Sequence, residues 1–291
     1  MIYQFIKEHQ HQFRLVKMCE VLGVSRSGYY DWLKRPESGQ KARNRELTSA
    51  VKEVFVKSQN IYGSRKITRK LRKDNVVVSE RTVGRIMKEE GIRSKTVRKY
   101  KATTNSKHSL PVYPNLLNQN FRTDGPGRAW VTDITYIPTR EGWLYLASVM
   151  DLYSRKIIGF ETGERMTKEL VIKALDRAMT NQPPKEGLIH HSDRGSQYAS
   201  KDYTDKLKEA GITISMSRKG NCYDNACIES FHSIIKKELI FHQDYTTREE
   251  ARKSIFSYIV TFYNSWRMHS TLGYMTPNEF ERAYHLQKRC A

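Results

Sequence analysis

The chain of 291 residues can bury a sizeable core in one to three domains, and it carries fifty-one Lys and Arg against thirty-one Asp and Glu, a formal charge of +20. That excess points to a polyanionic partner bound with counterion release. No apolar run reaches the roughly eighteen residues that cross a bilayer, Met1 opens onto no secretory leader, and Cys19, Cys222, Cys227 and Cys290 lack paired spacing or a histidine set for zinc, so a soluble cytoplasmic protein with reduced thiols and no membrane contact is expected.

The charge is uneven. Residues 1–120 hold twenty-six basic and ten acidic side chains, whereas residues 121–291 hold twenty-five and twenty-one. Two helical pairs are predicted in the basic portion. In the first, Leu15, Met18, Cys19 and Leu22 keep a helical period, Gly23 breaks it, and Ser25 caps a second helix carrying Tyr29, Tyr30 and Leu33. In the second, Ile67 and Leu71 mark one helix, Asp74 and Asn75 turn the chain, and Ser79 caps another whose Val83, Ile86 and Met87 face inward. Arg81, Arg85 and Lys88, spaced i, i+4, i+7, then project together toward a DNA groove or its phosphates; a solvated surface is the plain alternative. These pairs define helix-turn-helix-like units at residues 1–55 and 56–100. Residues 101–121, with Thr103, Thr104, Asn105, Ser106, Pro111 and Pro114, read as a linker.

Residues 122–243 change texture. Arg128–Thr139, Trp143–Tyr153 and Ser154–Glu161 are rich in Val, Ile, Tyr and Trp and bounded by turn signals, which predicts a three-strand antiparallel meander. Helices near 167–180 and 200–210 then alternate with short strands near 187–191 and 212–216, and a further helix spans Asn225–Ile240. Such alternation implies parallel additions to the sheet, hence a mixed α/β core. Residues 244–291 are expected to form a helical tail, with Thr276-Pro277-Asn278-Glu279 as a capping box opening its last helix.

Three acids in the core stand where a fold could converge them. Asp133 interrupts the alternating strand Trp130–Tyr136, where a charge is costly unless paired or bound to a cation. Asp193 follows a short strand at the carboxyl end, where open α/β sheets place ligands. Glu229 shares a polar helical stripe with Ser233 and Lys236, beside the apolar stripe of Ile228, Phe231, Ile235 and Leu239. Singly, each has an ordinary reading as a paired strand acid, a capping turn residue or a solvated helix residue. Together they suit phosphodiester chemistry, in which two divalent ions held by carboxylates activate the attacking oxygen and stabilise the leaving one. His190 and His191 are not expected to join them, because oxygen ligands suit Mg²⁺ better and adjacent strand residues point to opposite faces.

The spacing of Asp133, Asp193 and Glu229, with thirty-five residues between the last two, resembles the D,D-35-E signature of retroviral integrases and related bacterial transposases. The words Trp130-Val-Thr-Asp-Ile-Thr-Tyr, Asp151-Leu-Tyr-Ser-Arg, His191-Ser-Asp-Arg-Gly-Ser-Gln-Tyr, Asn225-Ala-Cys-Ile-Glu-Ser-Phe and Tyr263-Asn-Ser-Trp-Arg-Met-His resemble the second-frame (OrfB) transposases of the insertion-sequence-three family. The similarity runs over nearly the whole chain. It implies a ribonuclease-H-like core at residues 122–243, catalysis and metal binding by Asp133, Asp193 and Glu229, two Mg²⁺ (or Mn²⁺) ions per site, cleavage at the ends of an insertion sequence, and attack by the freed 3′-hydroxyl on double-stranded DNA. It also implies a homo-oligomer on DNA, a nucleoid-associated bacterial location, and an active form fused to the product of an upstream frame. His232 departs from the pattern, which would place a second aromatic after Phe231. Arg194, Arg218, Lys219, Lys236, Tyr263 and Arg267 are candidate DNA contacts beside Arg81, Arg85 and Lys88. The rival readings are a nuclease that only hydrolyses and a DNA-binding regulator with an inactive core.

Overall fold

The computed structural model describes residues 1–95 and 111–290, so the predicted linker lies outside the described residues as far as residue 110. The chain divides into two compact units, Met1–Glu53 and Val54 onward. In the first, α1 (Ile2–His9), α2 (Leu15–Val21) and α3 (Arg26–Lys34) gather Ile6, Met18, Cys19 and Tyr29 into a small core, with Tyr3, Leu22 and Trp32 packed around it. Gly23 adopts a φ of +65°, the left-handed conformation that a side chain disfavours, and so ends α2; Ser25 Oγ accepts the Gly28 amide at 3.0 Å and starts α3. The helix α4 (Gly39–Lys57) follows, with Leu47, Val51 and Val54 buried at helical spacing.

In the second unit α5 (Ser64–Lys73) and α6 (Glu80–Glu89) pack through Ile67, Leu71, Val83 and Ile86. Asn75 turns the chain between them at a φ of +61°, and Ser79 Oγ accepts the Thr82 amide at 3.0 Å. The predicted meander forms as β1 (Ala129–Thr139), β2 (Gly142–Asp151) and β3 (Ile157–Gly163). There follow α7 (Lys168–Asn181), β4 (Ile189–Ser192), α8 (Lys201–Glu209), β5 (Thr213–Met216) and α9 (Ala226–Glu238). The five strands lie in the order β3-β2-β1-β4-β5; β1, β2 and β3 are antiparallel, and β4 and β5 add in parallel to β1. This is the mixed α/β core the alternation predicts.

Strand parity sorts the two faces. Trp130, Ala147, Val149 and Ile158 pack under Leu170, Val171, Ala174 and Ala178 of α7. Gly159 permits that approach, because a Cβ there would stand 2.6 Å from the Ala178 amide nitrogen. The opposite parity, Asp133 and Ser148, meets α9.

The tail is built into this body. From α10 (Arg248–Ser257) the chain passes through a π-helical turn, Tyr258–Tyr263, whose Tyr263 ring meets Phe231 of α9 edge-on at 4.7 Å. The last helix, α11 (Pro277–Cys290), opens on the predicted capping box: Glu279 accepts the Thr276 amide at 2.8 Å and Thr276 Oγ1 accepts the Glu279 amide at 3.2 Å. The second helical pair is tied to the tail. Tyr62, just before α5, donates its hydroxyl to the Trp266 carbonyl at 3.2 Å and accepts the Met268 amide at 2.8 Å, while Lys73 pairs with Glu279 at 3.0 Å. Among the described residues no helix is long and apolar enough to cross a membrane.

Candidate active site

Sheet register brings the first two acids together. Val131 of β1 lies beside His191 of the parallel β4, so two residues further along each chain Asp133 and Asp193 take neighbouring positions where β4 ends. Beyond that point β1 has no partner on this edge, and the amino end of α9 occupies the space. Asn225 fixes it there, donating its side-chain amide to the Thr132 carbonyl at 3.0 Å, and Glu229 follows one turn on.

Glu229 feels the charge of both aspartates. Burial, then the negative charges of Asp133 and Asp193, push the Glu229 carboxyl up to about 7. Asp133, with 17% of its side chain exposed, receives His232 Nδ1 at 3.2 Å on one oxygen, and Asp193 Oδ1 accepts the Gly195 amide at 2.8 Å. Among the described residues no three His, Cys, Asp or Glu side chains are already drawn together as a finished metal cage. The donor set nonetheless fits a hard divalent ion: three carboxylates, partly exposed, whose mutual repulsion a cation would relieve.

The two histidines of β4 serve the sheet. His191 bonds Ser215 Oγ at 2.8 Å and Ser217 Oγ at 3.1 Å, and His190 meets the Tyr203 hydroxyl at 3.1 Å. Burial holds His190 down to about 3 and His191 down to about 4, so both are neutral packing groups.

The candidate DNA contacts divide by burial. Arg81, Arg85 and Lys88 are exposed on α6 opposite its buried face, although Arg85 also pairs with Glu89 at 2.9 Å. Arg194 donates Nε to the Ser217 carbonyl at 2.7 Å. In the loop after β5, Arg218 is bound to buried Asp224 by Nη2 at 2.7 Å and Nε at 3.0 Å, which holds the Asp224 carboxyl far below the usual range, and both Arg218 and Lys219 are exposed. Half-buried Lys236 lies over the Tyr136 ring at 4.3 Å; burial lowers its pKa while Asp133 opposes that shift. Tyr263 and Arg267 are engaged within the protein. Tyr263 is buried under α9, and Arg267 grips Glu238 at the end of α9 at 2.7 Å, because a carboxylate buried there requires a charged partner.

His232, Ser148 and Asn225 also belong to this site. Only His232 left a signal, as a polar ring where an aromatic was due.

Known proteins share this chain's pattern. A family model described as integrase core domain matches residues 123–222, a second of the same description matches residues 210–277, and an HTH-like domain model matches residues 42–100, which takes in most of α4 with α5 and α6. The insertion element IS600 uncharacterized 31 kDa protein of Shigella sonnei is 47% identical over 268 residues, 92% of this chain and 98% of its own. Transposase InsF for insertion sequence IS3A of Escherichia coli (strain K12) is 42% identical over 283 residues, 97% of this chain and 98% of its own. Among solved structures, the HTLV-2 integrase catalytic core domain in complex with magnesium (trimeric form) aligns with a TM-score of 0.43 at 16% identity, over 55% of this chain and 99% of that one.

Proposed function

The chain belongs to the family of IS3-type insertion-sequence transposases, enzymes that cut DNA strands and join them anew, and from that premise we propose that Asp133, Asp193 and Glu229 carry its chemistry. What supports this reading is geometry: Asp133 and Asp193 follow adjoining positions of the parallel β1 and β4, and Glu229 stands one turn beyond Asn225, which ties the start of α9 to the Thr132 carbonyl; burial and the two aspartates push the Glu229 carboxyl up. Three acids held against their own repulsion on strand, strand end and helix are stable in use only with positive charge among them. Two Mg²⁺ or Mn²⁺ ions, when bound, would polarise the phosphodiester, activate the attacking oxygen and neutralise the leaving one.

The protein's own part is placement. Asp133 and Asp193, at adjoining positions on parallel strands, are the natural shared ligands, and Glu229 closes the site from α9. Lys236, two turns beyond Glu229, holds a phosphate of the reacting strand and so fixes its register. Arg81, Arg85 and Lys88 on α6 and Lys219 on its loop follow the backbone of the duplex. Water attacks first at the element's end, and the freed 3′-hydroxyl then attacks a second DNA segment. Joining two ends requires at least two copies on DNA, and the working form is a fusion with the upstream-frame product, acting at the bacterial nucleoid.

Asp133→Asn, Asp193→Asn and Glu229→Gln should each abolish cleavage and joining of terminal-repeat DNA in Mg²⁺ or Mn²⁺ while DNA affinity persists. Any variant that keeps more than a few per cent of activity removes that residue from the site. Strand-transfer products distinguish this reading from a nuclease that only hydrolyses.

A further inference from the structure

The position three residues after Glu229 carries a histidine where the family resemblance calls for an aromatic, and its ring is buried, with 5% exposed. A phenylalanine could fill the same space between α9 and the sheet. A buried imidazole is tolerated only where its nitrogens are bonded, and both of these are. Nδ1 lies 3.2 Å from Asp133 Oδ2, and Nε2 lies 3.4 Å from Ser148 Oγ.

Direction follows from chemistry. A carboxylate oxygen can only accept, so Nδ1 carries the hydrogen and donates to Asp133; Nε2 bonds the Ser148 hydroxyl, which can serve as donor or acceptor. Ser148 is the residue directly opposite Asp133 in the β1–β2 register. The ring therefore spans from α9 to a cross-strand pair, and its angle is set at both ends. One turn earlier on the same helix stands Glu229.

From this we infer that His232 is a positioning residue that aims the Asp133 carboxylate, an inference that rests on the metal-binding reading of Asp133. With Oδ2 held by the imidazole, Oδ1 and the free lone pairs of Oδ2 keep one orientation toward an incoming cation. A carboxylate lacking that bond would swing about its side-chain torsions and meet the cation in a fraction of its conformers. Because His232 and Glu229 ride one helix, any shift of α9 moves a ligand and the group that orients another ligand together. Partners of this kind typically hold 10–100-fold in metal affinity.

The test is Mn²⁺ binding to the full chain, followed by calorimetry and by the electron paramagnetic resonance of free Mn²⁺, with circular dichroism as the control for folding. His232→Phe, which keeps volume and removes the donor, should weaken Mn²⁺ binding by roughly tenfold or more. His232→Asn, whose amide nitrogen can stand where Nδ1 stands, should recover to within about threefold of the parent. Unchanged binding in His232→Phe, or equal loss in both variants, would overturn the inference. If His232→Phe does not fold, Ser148→Ala decides: freeing the far end of the ring should weaken Mn²⁺ binding several-fold, and parental binding refutes the role. Asp133→Asn separates the two levels. Parental Mn²⁺ affinity in that variant defeats the metal reading itself, whereas loss there beside parental affinity in His232→Phe defeats only the positioning role.

Discussion

Removing the Glu238 carboxylate should be among the most damaging single changes outside the acids themselves. Glu238 ends α9, and its side chain is 14% exposed against 9% for Arg267. Arg267 reaches it with Nη2 at 2.7 Å and Nε at 2.8 Å, and the Tyr258 hydroxyl donates to it at 2.6 Å. Burial alone would raise the Glu238 pKa; the Arg267 bonds and charge overcome that and hold it below the ordinary value. Lys66 of α5 lies near the same pair, pushed down to about 8 by burial and by the Arg267 charge. In Glu238→Ala the guanidinium is left buried without an anion, and Lys66 now faces only a like charge. An exposed ion pair contributes at most about 1 kcal/mol, but a buried pair broken from one side costs about 3–5 kcal/mol. At roughly 2–4 °C per kcal/mol for a body of this size, the melting temperature of the second unit should fall by roughly 6–20 °C. Thermal and urea denaturation followed by circular dichroism read the loss. The double variant Glu238→Leu with Arg267→Met, which removes both charges, should recover more than half of it. A single-variant loss below about 1 kcal/mol would show that the pair is solvated and that the reasoning from burial is wrong.

Lys236→Ala should reduce strand joining by roughly tenfold or more, about 1.4 kcal/mol in the transition state, with Mn²⁺ affinity unchanged, and Lys237→Ala should do less because it lies about 100° around α9. Equal losses in both, or wild-type joining by Lys236→Ala, would return Lys236 to the role of a cation resting on Tyr136. Glu229 gives a pH signature in metal-free protein. Its folded carboxyl titrates near 7, above the ordinary value, so the native state holds an extra proton between the two values and stability falls as pH rises through that window. Glu229→Gln should therefore match the parent below the ordinary carboxylate range and exceed it above pH 7, and added Mg²⁺ should narrow the gap by stabilising the parent; parallel stability curves across pH would contradict the proposed crowding of charge.

Where one element explains itself, the sequence was readable. Alternation located β1 and β2, Ser25 and Ser79 marked the starts of α3 and α6, and Thr276 with Glu279 announced α11. Asp133 stood out because an acid within the strand pattern of Trp130–Tyr136 breaks its apolar logic. Two helices escaped. In α1 a single buried residue, Ile6, leaves too faint a period, and in α4 the apolar positions Leu47, Val51 and Val54 are diluted by eleven polar or charged neighbours among its nineteen residues. Side-chain pairing between distant residues left less trace. Nothing in the sequence marks Glu238 as the partner of Arg267, twenty-nine residues later, and His232 looks like a lapse in the family pattern until α9 is laid across β1 and β2.

The bond between Tyr62 and the chain around Met268 also has a meaning in time. Its two ends are 206 residues apart, and ribosomes add about 5–20 residues per second, so Tyr62 waits roughly 10–40 s for its partners to be made. During that interval α5 and α6 have their mutual contacts through Ile67, Leu71, Val83 and Ile86, but the Tyr62 ring has yet to receive Trp266, and Lys73 has yet to meet Glu279. The basic face of α6 is thus synthesised, and free to fold, well before the catalytic body that it belongs to is closed. On a nascent chain the order of events is set by position in the message: the surface proposed to grip DNA comes first, and the seam that fastens it to the cutting centre comes last.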